Sequence, residues 1–244
     1  MTASYRSPLV RKHPHHTRPL LVRNTPVPHL LQMTKQPPRW VPGVVLHTAY
    51  HIAAREFATI SRKGGDIPYL AHLLAVSALV IEHGGSEDQA AAALLHDVLE
   101  DSPVSPAQLG DQLIKAGVSS DAAERIVALV QGTSDGEHGQ ERSAATWRER
   151  KAAYHRLLAA KPSDDPSLLV SLADKVHNAE STLVQVRAGE TVSRIFAQFN
   201  AGPVDQQWNY AGLHATFVQH AERNPALQRL VTRFGHVLAE IFPQ

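Results

Sequence analysis

A histidine and three acidic residues stand close together in the segment from Ala92 to Asp101. His96, Asp97, Glu100 and Asp101 follow a run of small and apolar residues that is typical of a buried helix. If that helix continues, side chains four positions apart share a face, which pairs the histidine with the glutamate and the two aspartates with each other. Burying this much charge is costly unless a cation compensates it, and an adjacent His-Asp pair offers one nitrogen and one oxygen ligand to a divalent metal. The alternative is a solvated helix end, where acidic residues are common.

Two other segments place polar groups of the same kind among apolar residues. His72 lies early in a predicted helix, and Asp174 lies in the apolar run from Leu168 to Asn178. A lone buried carboxylate has to be neutral or paired, and pairing with Lys175 is one alternative for Asp174. Taken singly, each residue is explained as a satisfied core residue. Together with the His-Asp pair they supply two imidazoles and two carboxylates, a set that suits Mn²⁺, Fe²⁺ or Zn²⁺ and leaves coordination positions open for water and substrate.

The segments that must position these residues all have the spacing of helices. Apolar residues recur at intervals of about 3.6 from Val44 onward. Ser86, with Gln89 three positions later, predicts a capping box at the start of the helix that carries the His-Asp pair. On the preceding helix, the apolar face is expected to include Leu74 and Ile81. Further helices are predicted near 106–116, 120–131, 146–160, 167–188, 192–199, 204–222 and 226–241. With no segment typical of a strand and no internal repeat, the sequence predicts an all-α, bundle-like single domain.

Composition restricts the function classes. The chain has 244 residues, 43% of them apolar, and no cysteine, which excludes disulfides and thiolate metal sites. Residues 41–244 hold 17 basic and 23 acidic side chains, a net charge of −6, so the body is no evident nucleic-acid binder. No apolar run has the length of a membrane span, and none resembles a signal-peptide core, so a cytoplasmic protein is expected. The sequence does not indicate an oligomeric state.

Residues 1–40 differ from the rest of the chain. They contain seven Lys or Arg, seven Pro and no acidic residue. Repeated proline prevents regular helix, and little apolar surface is available for burial, so we expect a disordered or extended basic tail. An organelle transit peptide is the alternative. The predicted division is therefore a tail at 1–40 and one helical domain at 41–244.

Four motifs in order give the chain a family resemblance from about residue 45 to 215. They are Arg62–His72, His96–Asp101, Trp147–Lys151 and Leu172–Asn178. The chain resembles the HD-domain metal-dependent phosphohydrolases, and within them the small alarmone hydrolases, which are similar to the hydrolase half of RelA/SpoT proteins. This resemblance implies an all-helical fold and a Mn²⁺ ion. It also implies hydrolysis of the 3′-diphosphate of a purine nucleotide alarmone, with release of pyrophosphate.

The resemblance also implies roles for individual residues. The implied metal ligands are His72, His96, Asp97 and Asp174. The implied catalytic acid pair is Glu100 and Asp101, either of which could orient water or deliver a proton to the leaving group. The implied nucleotide-binding residues are Arg62, Lys63 and, near the ribose, Asn178. The basic side chains Arg148, Arg150 and Lys151 either hold distal phosphates or form a solvated helix face.

Three positions depart from the family pattern. Glu180 stands where the family often has arginine, and Phe57 stands near the place of a frequent histidine. The segment Gly202–Asp205 follows Phe199-Asn200, where the family commonly has Gly-Lys. The first and third departures remove positive charge, so phosphate contacts and substrate identity stay open.

Three functions remain as alternatives. The first is an alarmone 3′-pyrophosphohydrolase acting on the guanosine compound or its adenosine analogue. The second is another HD-type nucleotide phosphohydrolase, which would release orthophosphate. The third is a non-catalytic nucleotide-binding regulatory module, although a pure binder need not keep four metal ligands.

Overall fold

Eleven α-helices and one short 3-10 helix form the regular structure of residues 40–134 and 146–243, the part of the chain that this computed structural model describes. The helices are α1 (Val44–Glu56), α2 (Leu70–Glu82), α3 (Glu87–Leu95), α4 (Val98–Asp101), α5 (Pro106–Lys115), α6 (Ser120–Thr133), α7 (Trp147–Ala160), α8 (Ser167–Arg187), α9 (Val192–Phe196), α10 (Pro203–Arg223) and α11 (Gln228–Ile241), with the 3-10 turn at Pro225–Leu227. Across the described ranges the β-pairing is one isolated bridge between Ser61 and Pro68. The all-α prediction is therefore confirmed.

The predicted tail at 1–40 lies almost wholly outside the described residues and stays a prediction. Trp40 is described, and its indole Nε1 donates a hydrogen bond to the Gly85 carbonyl at 2.9 Å. None of the helices in the described ranges combines the length and the apolar character needed to cross a membrane.

A serine cap marks the start of α3, the helix that leads to the His-Asp pair. Ser86 Oγ accepts a hydrogen bond from the Gln89 N–H at 3.2 Å, and the Gln89 side chain accepts one from the Ser86 N–H at 2.9 Å. This reciprocal pair is the capping box that the sequence predicts. The box satisfies donors that the first helical turn would otherwise leave without partners.

Helix α3 lies at the centre of the fold. Its residues from Ala90 to Leu95 are all buried, and it packs against α1, α2, α6 and α8. Alanine side chains let several helices approach one axis closely. One apolar cluster is formed mainly by α2, α8, α10 and α11, and a second mainly by α1, α3, α5 and α6. Helix α3 contributes to both clusters, so it lies between them.

The expectation of one continuous helix through the His-Asp motif is wrong. Helix α3 ends at Leu95, and α4 begins at Val98 after a turn formed by His96 and Asp97. The His96 ring Nδ1 hydrogen-bonds the Ala93 carbonyl at 2.8 Å, a group near the end of α3. The Asp97 carbonyl then accepts the backbone N–H groups of Glu100 and Asp101, which starts a new helical turn. The stacking of side chains on a single helix face therefore does not describe this motif.

The expected apolar face of α2 is also partly wrong. Leu74 and Ile81 are 45% and 43% exposed, whereas Val76 and Val80 are fully buried. Because α2 packs against both α3 and α8, its buried face is turned away from the predicted stripe. The exposed side chains instead line a surface groove of about 370 Å³ with α1, to which Tyr50 contributes.

Candidate metal centre

Three helical regions bring two imidazoles and two carboxylates together. His72 comes from the first turn of α2, His96 and Asp97 from the turn after α3, and Asp174 from the middle of α8. His72 Nε2 lies 3.2 Å from Asp174 Oδ1 and 3.7 Å from Asp97 Oδ2. His96 Nε2 lies 3.0 Å from Asp97 Oδ2 and 3.5 Å from Asp174 Oδ1. The structure thus places all four predicted ligands in one cluster.

The donor atoms of this cluster fit a divalent metal. Ligand atoms of His72, His96 and Asp174 lie within 4.8 Å of one another, and Asp97 Oδ2 faces both imidazoles. His96 Nε2 is buried and faces the Asp97 and Asp174 carboxylates at 3.0 and 3.5 Å, without a well-aligned hydrogen bond to either. Metal bonds of about 2.1 Å put neighbouring ligand atoms about 3.0–3.4 Å apart, depending on the coordination geometry. Two of the observed nitrogen–oxygen separations, 3.0 and 3.2 Å, lie within that range, and the other two, 3.5 and 3.7 Å, are slightly wider.

Hydrogen bonds on the far side of each imidazole orient the two rings. The Ala93 carbonyl can only accept, so His96 Nδ1 carries the hydrogen of their 2.8 Å bond. His72 Nδ1 lies 2.7 Å from His177 Nδ1. Burial, together with His72 and Arg62, lowers the pKa of His177 to about 4, so His177 is neutral at pH 7 and able to accept that bond. Both Nε2 atoms are then left to face the carboxylates, an arrangement that histidine ligands of metals commonly show.

The two oxygens of Asp174 have different partners. Lys175 Nζ lies 2.6 Å from Oδ2, so the alternative of a Lys175 pair is realised at one oxygen. Asn178 Nδ2 donates to the other oxygen, Oδ1, at 2.6 Å, which confirms that Asp174 and Asn178 share a helix face. Because Oδ1 is also the oxygen that faces the imidazoles, the lysine leaves the metal-facing side of Asp174 available.

The charges in the cluster compensate one another. Burial opposes ionisation of Asp97, but the adjacent His96 outweighs it and lowers the pKa of that carboxyl. Burial acts in the same way on Asp174, and Lys175 and the imidazoles hold the pKa of Asp174 well below its usual value. Burial lowers the pKa of His72. Burial also opposes protonation of His96, yet the two carboxylates raise the pKa of His96 well above its ordinary value. A divalent cation would replace the proton on His96 as the source of positive charge.

Two of the predicted nucleotide-binding residues, Arg62 and Lys63, lie in a tight loop beside the cluster, and the third, Asn178, lies on α8. Arg62 Nη2 donates to Asn178 Oδ1 at 3.1 Å. Since Asn178 in turn donates to Asp174, two hydrogen bonds link Arg62 to the Asp174 carboxylate through Asn178. Lys63 Nζ lies 5.7 Å from the centre of the Phe199 ring. The loop turns at Gly64, where φ is +84° and a β-carbon would collide with Gln198. The structure therefore brings Arg62 and Asn178 to the cluster and places Lys63 against the turn that follows α9.

The predicted catalytic acids are not members of the four-residue cluster. Glu100 Oε1 accepts a hydrogen bond from Ser134 Oγ at 2.6 Å, at the end of α6. Asp101 is exposed at the end of α4. Burial and Asp97, with a smaller contribution from the charge of Asp101, raise the pKa of Tyr69. The roles of Glu100 and Asp101 stay predictions.

Each residue that departs from the family pattern contacts a specific side chain elsewhere in the fold. Glu180 accepts two hydrogen bonds from Arg233 of α11, at 2.5 and 2.9 Å. Asp205 pairs with Arg148, whose guanidinium also lies 4.4 Å from the centre of the Trp208 ring. Of the other two predicted phosphate contacts, Arg150 is buried and Lys151 is half-buried. The remaining departure, Phe57, is buried and stacks on Tyr69 with ring centres 5.0 Å apart.

Sequence reasoning did not identify Tyr69 and His177 as neighbours of the metal-binding atoms. Tyr69 Oη donates to Asp97 Oδ2 at 2.6 Å, and His177 contacts His72. Each lies three positions from a predicted ligand in the chain, Tyr69 before His72 and His177 after Asp174. Spacing of three residues is a signal that each lies beside a predicted ligand, although it carries no information about the contact of Tyr69 with Asp97.

Comparisons with known proteins identify the family of this chain and proteins that share its fold. The family model of the HD domain matches residues 49–207, which include all four residues of the cluster. A metazoan structure described as "A metazoan ortholog of SpoT hydrolyzes ppGpp and plays a role in starvation responses" matches with a TM-score of 0.61 and 18% identity. That match covers 83% of this chain and 99% of the other, and it shows a shared fold.

Two curated relatives are similar in sequence. A Synechocystis protein named "Probable guanosine-3′,5′-bis(diphosphate) 3′-pyrophosphohydrolase" is 30% identical over 56% of this chain and 16% of its own length. An Aquifex aeolicus protein named guanosine-3′,5′-bis(diphosphate) 3′-pyrophosphohydrolase is 27% identical over 57% of this chain and 18% of its own length. The chain thus matches less than a fifth of these relatives. HD domains are metal-dependent, and the buried histidine and aspartate side chains supply a candidate metal site. By its match over residues 49–207, this chain belongs to the HD domain family.

Proposed function

We propose that this chain is a metal-dependent pyrophosphohydrolase that removes the 3′-diphosphate from a purine nucleotide alarmone and releases pyrophosphate. The substrate is (p)ppGpp or its adenosine analogue (p)ppApp. The observation that carries the proposal is the buried cluster of His72, His96, Asp97 and Asp174. The names of the curated relatives supply the substrate class.

The proposed cofactor is Mn²⁺, held by the two imidazoles and the two aspartates of the cluster. When bound, a divalent metal lowers the pKa of water and offsets negative charge on phosphoryl oxygens. The ring orientations of His72 and His96 are already fixed by His177 and Ala93, so little reorganisation is needed to present both Nε2 atoms. Burial of His72, His96 and Asp174 strengthens the charge interactions within the cluster.

The remaining proposed roles concern water, proton and nucleotide. Glu100 or Asp101 orients the attacking water and delivers a proton to the leaving group. Arg62 stacks on the purine base or forks onto a phosphate, which its planar guanidinium suits better than a lysine. Lys63 contributes charge to the nucleotide, and Asn178 lies near the ribose while it holds Asp174.

Product analysis tests this function. The full chain, loaded with Mn²⁺, is incubated separately with ppGpp and ppApp, and pyrophosphate and orthophosphate are both quantified. Pyrophosphate release that disappears in chelator and in Asp97→Asn supports the proposal. A matched control, Asp88→Asn, removes a carboxylate that pairs with Arg125 on the surface and should keep full activity. Orthophosphate as the sole product would assign the chain to another class of HD phosphohydrolase, and binding without turnover would indicate a regulatory module.

A further inference from the structure

We infer that Tyr69 is a positioning residue of the metal centre, whose hydroxyl holds the Asp97 carboxylate in the orientation that binds the metal. The inference rests on the metal site of the proposed function and extends it to a residue outside the ligand set. Tyr69 Oη donates to Asp97 Oδ2 at 2.6 Å, across 28 positions of the chain. The same Oδ2 lies 3.0 Å from His96 Nε2 and 3.7 Å from His72 Nε2.

Asp97 needs such a partner because of its place in the chain. It stands in the turn between α3 and α4, so no helix on either side fixes its side chain. Its carboxylate accepts the Tyr69 hydrogen bond, whereas the carboxylate of Asp174 is held by both Lys175 and Asn178. A carboxylate oxygen has two lone pairs, so a hydroxyl can occupy one and leave the other for a cation. The hydrogen bond therefore selects which Asp97 oxygen faces the imidazoles.

The ring of Tyr69 is itself fixed. Phe57 stacks on one side of it at an interplanar angle of 18°, and His72 meets it edge-on with ring centres 5.4 Å apart. The Tyr69 backbone N–H donates to the Ile60 carbonyl at 2.8 Å. The hydroxyl is thus held at a defined position relative to His72 and Asp97. This arrangement also gives Phe57, a departure from the family pattern, a place in the support of the centre.

The test measures metal affinity without reference to turnover. Free Mn²⁺ is followed by its electron paramagnetic resonance signal as the parent chain, Tyr69→Phe and Tyr50→Phe are added. Tyr69→Phe removes the hydroxyl and keeps the ring that stacks on Phe57. Tyr50→Phe removes the same atom from an exposed tyrosine in the α1–α2 groove. Loss of an outer partner of a metal ligand typically costs about 10–100-fold in affinity, so the dissociation constant of Tyr69→Phe should rise by about that factor and that of Tyr50→Phe should not change.

Two further measurements separate positioning from general stability. The metal-free melting temperature of Tyr69→Phe should stay close to that of the parent. Turnover of Tyr69→Phe should recover when Mn²⁺ is raised above its new dissociation constant. Phe57→Leu weakens the packing but keeps the hydroxyl, so it should lower the melting temperature with a smaller change in affinity.

Each other outcome has a definite meaning. An unchanged dissociation constant in Tyr69→Phe overturns the inference and leaves the proposed function standing. Turnover that stays low at saturating Mn²⁺ also overturns it, because Tyr69 would then act on the substrate. An equal loss of Mn²⁺ affinity in Phe57→Leu would assign the loss to weaker packing of the Tyr69 ring, and would overturn a specific role for the hydroxyl. If the parent itself binds none of Mn²⁺, Fe²⁺ and Zn²⁺, the metal site fails, and the role of Tyr69 fails with it.

Discussion

Replacing Asp174 by asparagine should remove most of the stabilisation that metal gives to the fold. Asp174 Oδ1 lies 3.2 Å from His72 Nε2 and 3.5 Å from His96 Nε2, and α8 contributes no other carboxylate to the cluster among the described residues. Asparagine keeps the size of the side chain and offers an amide oxygen in the same place. It loses the negative charge that holds a divalent cation, so the perturbation is one of charge and leaves packing nearly unchanged.

The expected magnitude follows from mass action. A metal at one hundred times its dissociation constant stabilises the native state by about 2.7 kcal/mol. For domains of about 150–250 residues each kcal/mol moves the melting temperature by about 2–4 °C, so the parent should melt about 5–11 °C higher with metal. If Asp174→Asn weakens binding about 100-fold, the same metal concentration stabilises it by only about 0.4 kcal/mol, or about 1–2 °C.

The assay is a melting curve of each protein with and without Mn²⁺, at a concentration fixed from the parent's dissociation constant. The quantity compared is the metal-induced shift, because Asp174→Asn also removes the partner of Lys175 and changes the metal-free melting temperature. Asp88→Asn serves as the control and should keep the full shift, since its carboxylate pairs with Arg125 on the surface. An equal shift in the parent and in Asp174→Asn would refute the assignment of Asp174 to the metal centre.

Three further predictions concern the acid pair, the start of α8 and the tail. Glu100→Gln should keep Mn²⁺ affinity and lose about 10²–10⁴-fold in kcat, because an amide cannot transfer the proton; loss of metal in a binding titration would instead make Glu100 a ligand. Asp165 accepts hydrogen bonds from the Ser167 N–H at 2.8 Å and from its hydroxyl at 2.6 Å, so Asp165→Ala should cost about 0.5–2 kcal/mol in the free energy of unfolding. Partial burial opposes ionisation of Asp165, but these bonds and Lys161 outweigh it and lower the pKa of Asp165 from 3.8. The difference in free energy of unfolding between the parent and Asp165→Ala, measured in urea, should therefore be full well above pH 3.8 and decrease as the pH falls below that value. A difference that does not change with pH would exclude the charged carboxylate as its source. A chain without residues 1–39 should keep its melting temperature and turnover, because that stretch has seven prolines and little apolar surface to bury; a large loss of either would show that the tail supports the domain.

The helices and the four cluster residues were predictable because each follows from a local rule. Periodic apolar spacing, serine caps and proline breaks determine where the helices of this chain begin and end. His72 and Asp174 stand in apolar helices, where a polar side chain needs a partner. Each residue taken singly is explained as a satisfied core residue, and only the combination of two imidazoles and two carboxylates indicated a divalent metal as the partner.

The features that the sequence did not predict depend on contacts between distant segments or on side chains that bond the backbone. The break after Leu95 accompanies a bond from the His96 ring to the Ala93 carbonyl, and periodicity carries no information about ring orientation. The exposure of Leu74 results from the packing of α2 against two helices at once. The contact of Tyr69 with Asp97 joins two segments whose approach is visible only in three dimensions.

The two departures that introduce negative charge differ in their consequences. Glu180 holds Arg233 through two hydrogen bonds and ties α11 to α8, so its charge is used in packing between helices. Asp205 holds Arg148 in an ion pair whose side chains are 40% and 57% exposed, and exposed pairs of this kind contribute about 0–1 kcal/mol. A substrate phosphate could therefore displace Asp205 from Arg148 at little cost. Loss of the family's basic residues at these positions thus does not by itself argue against a phosphorylated substrate.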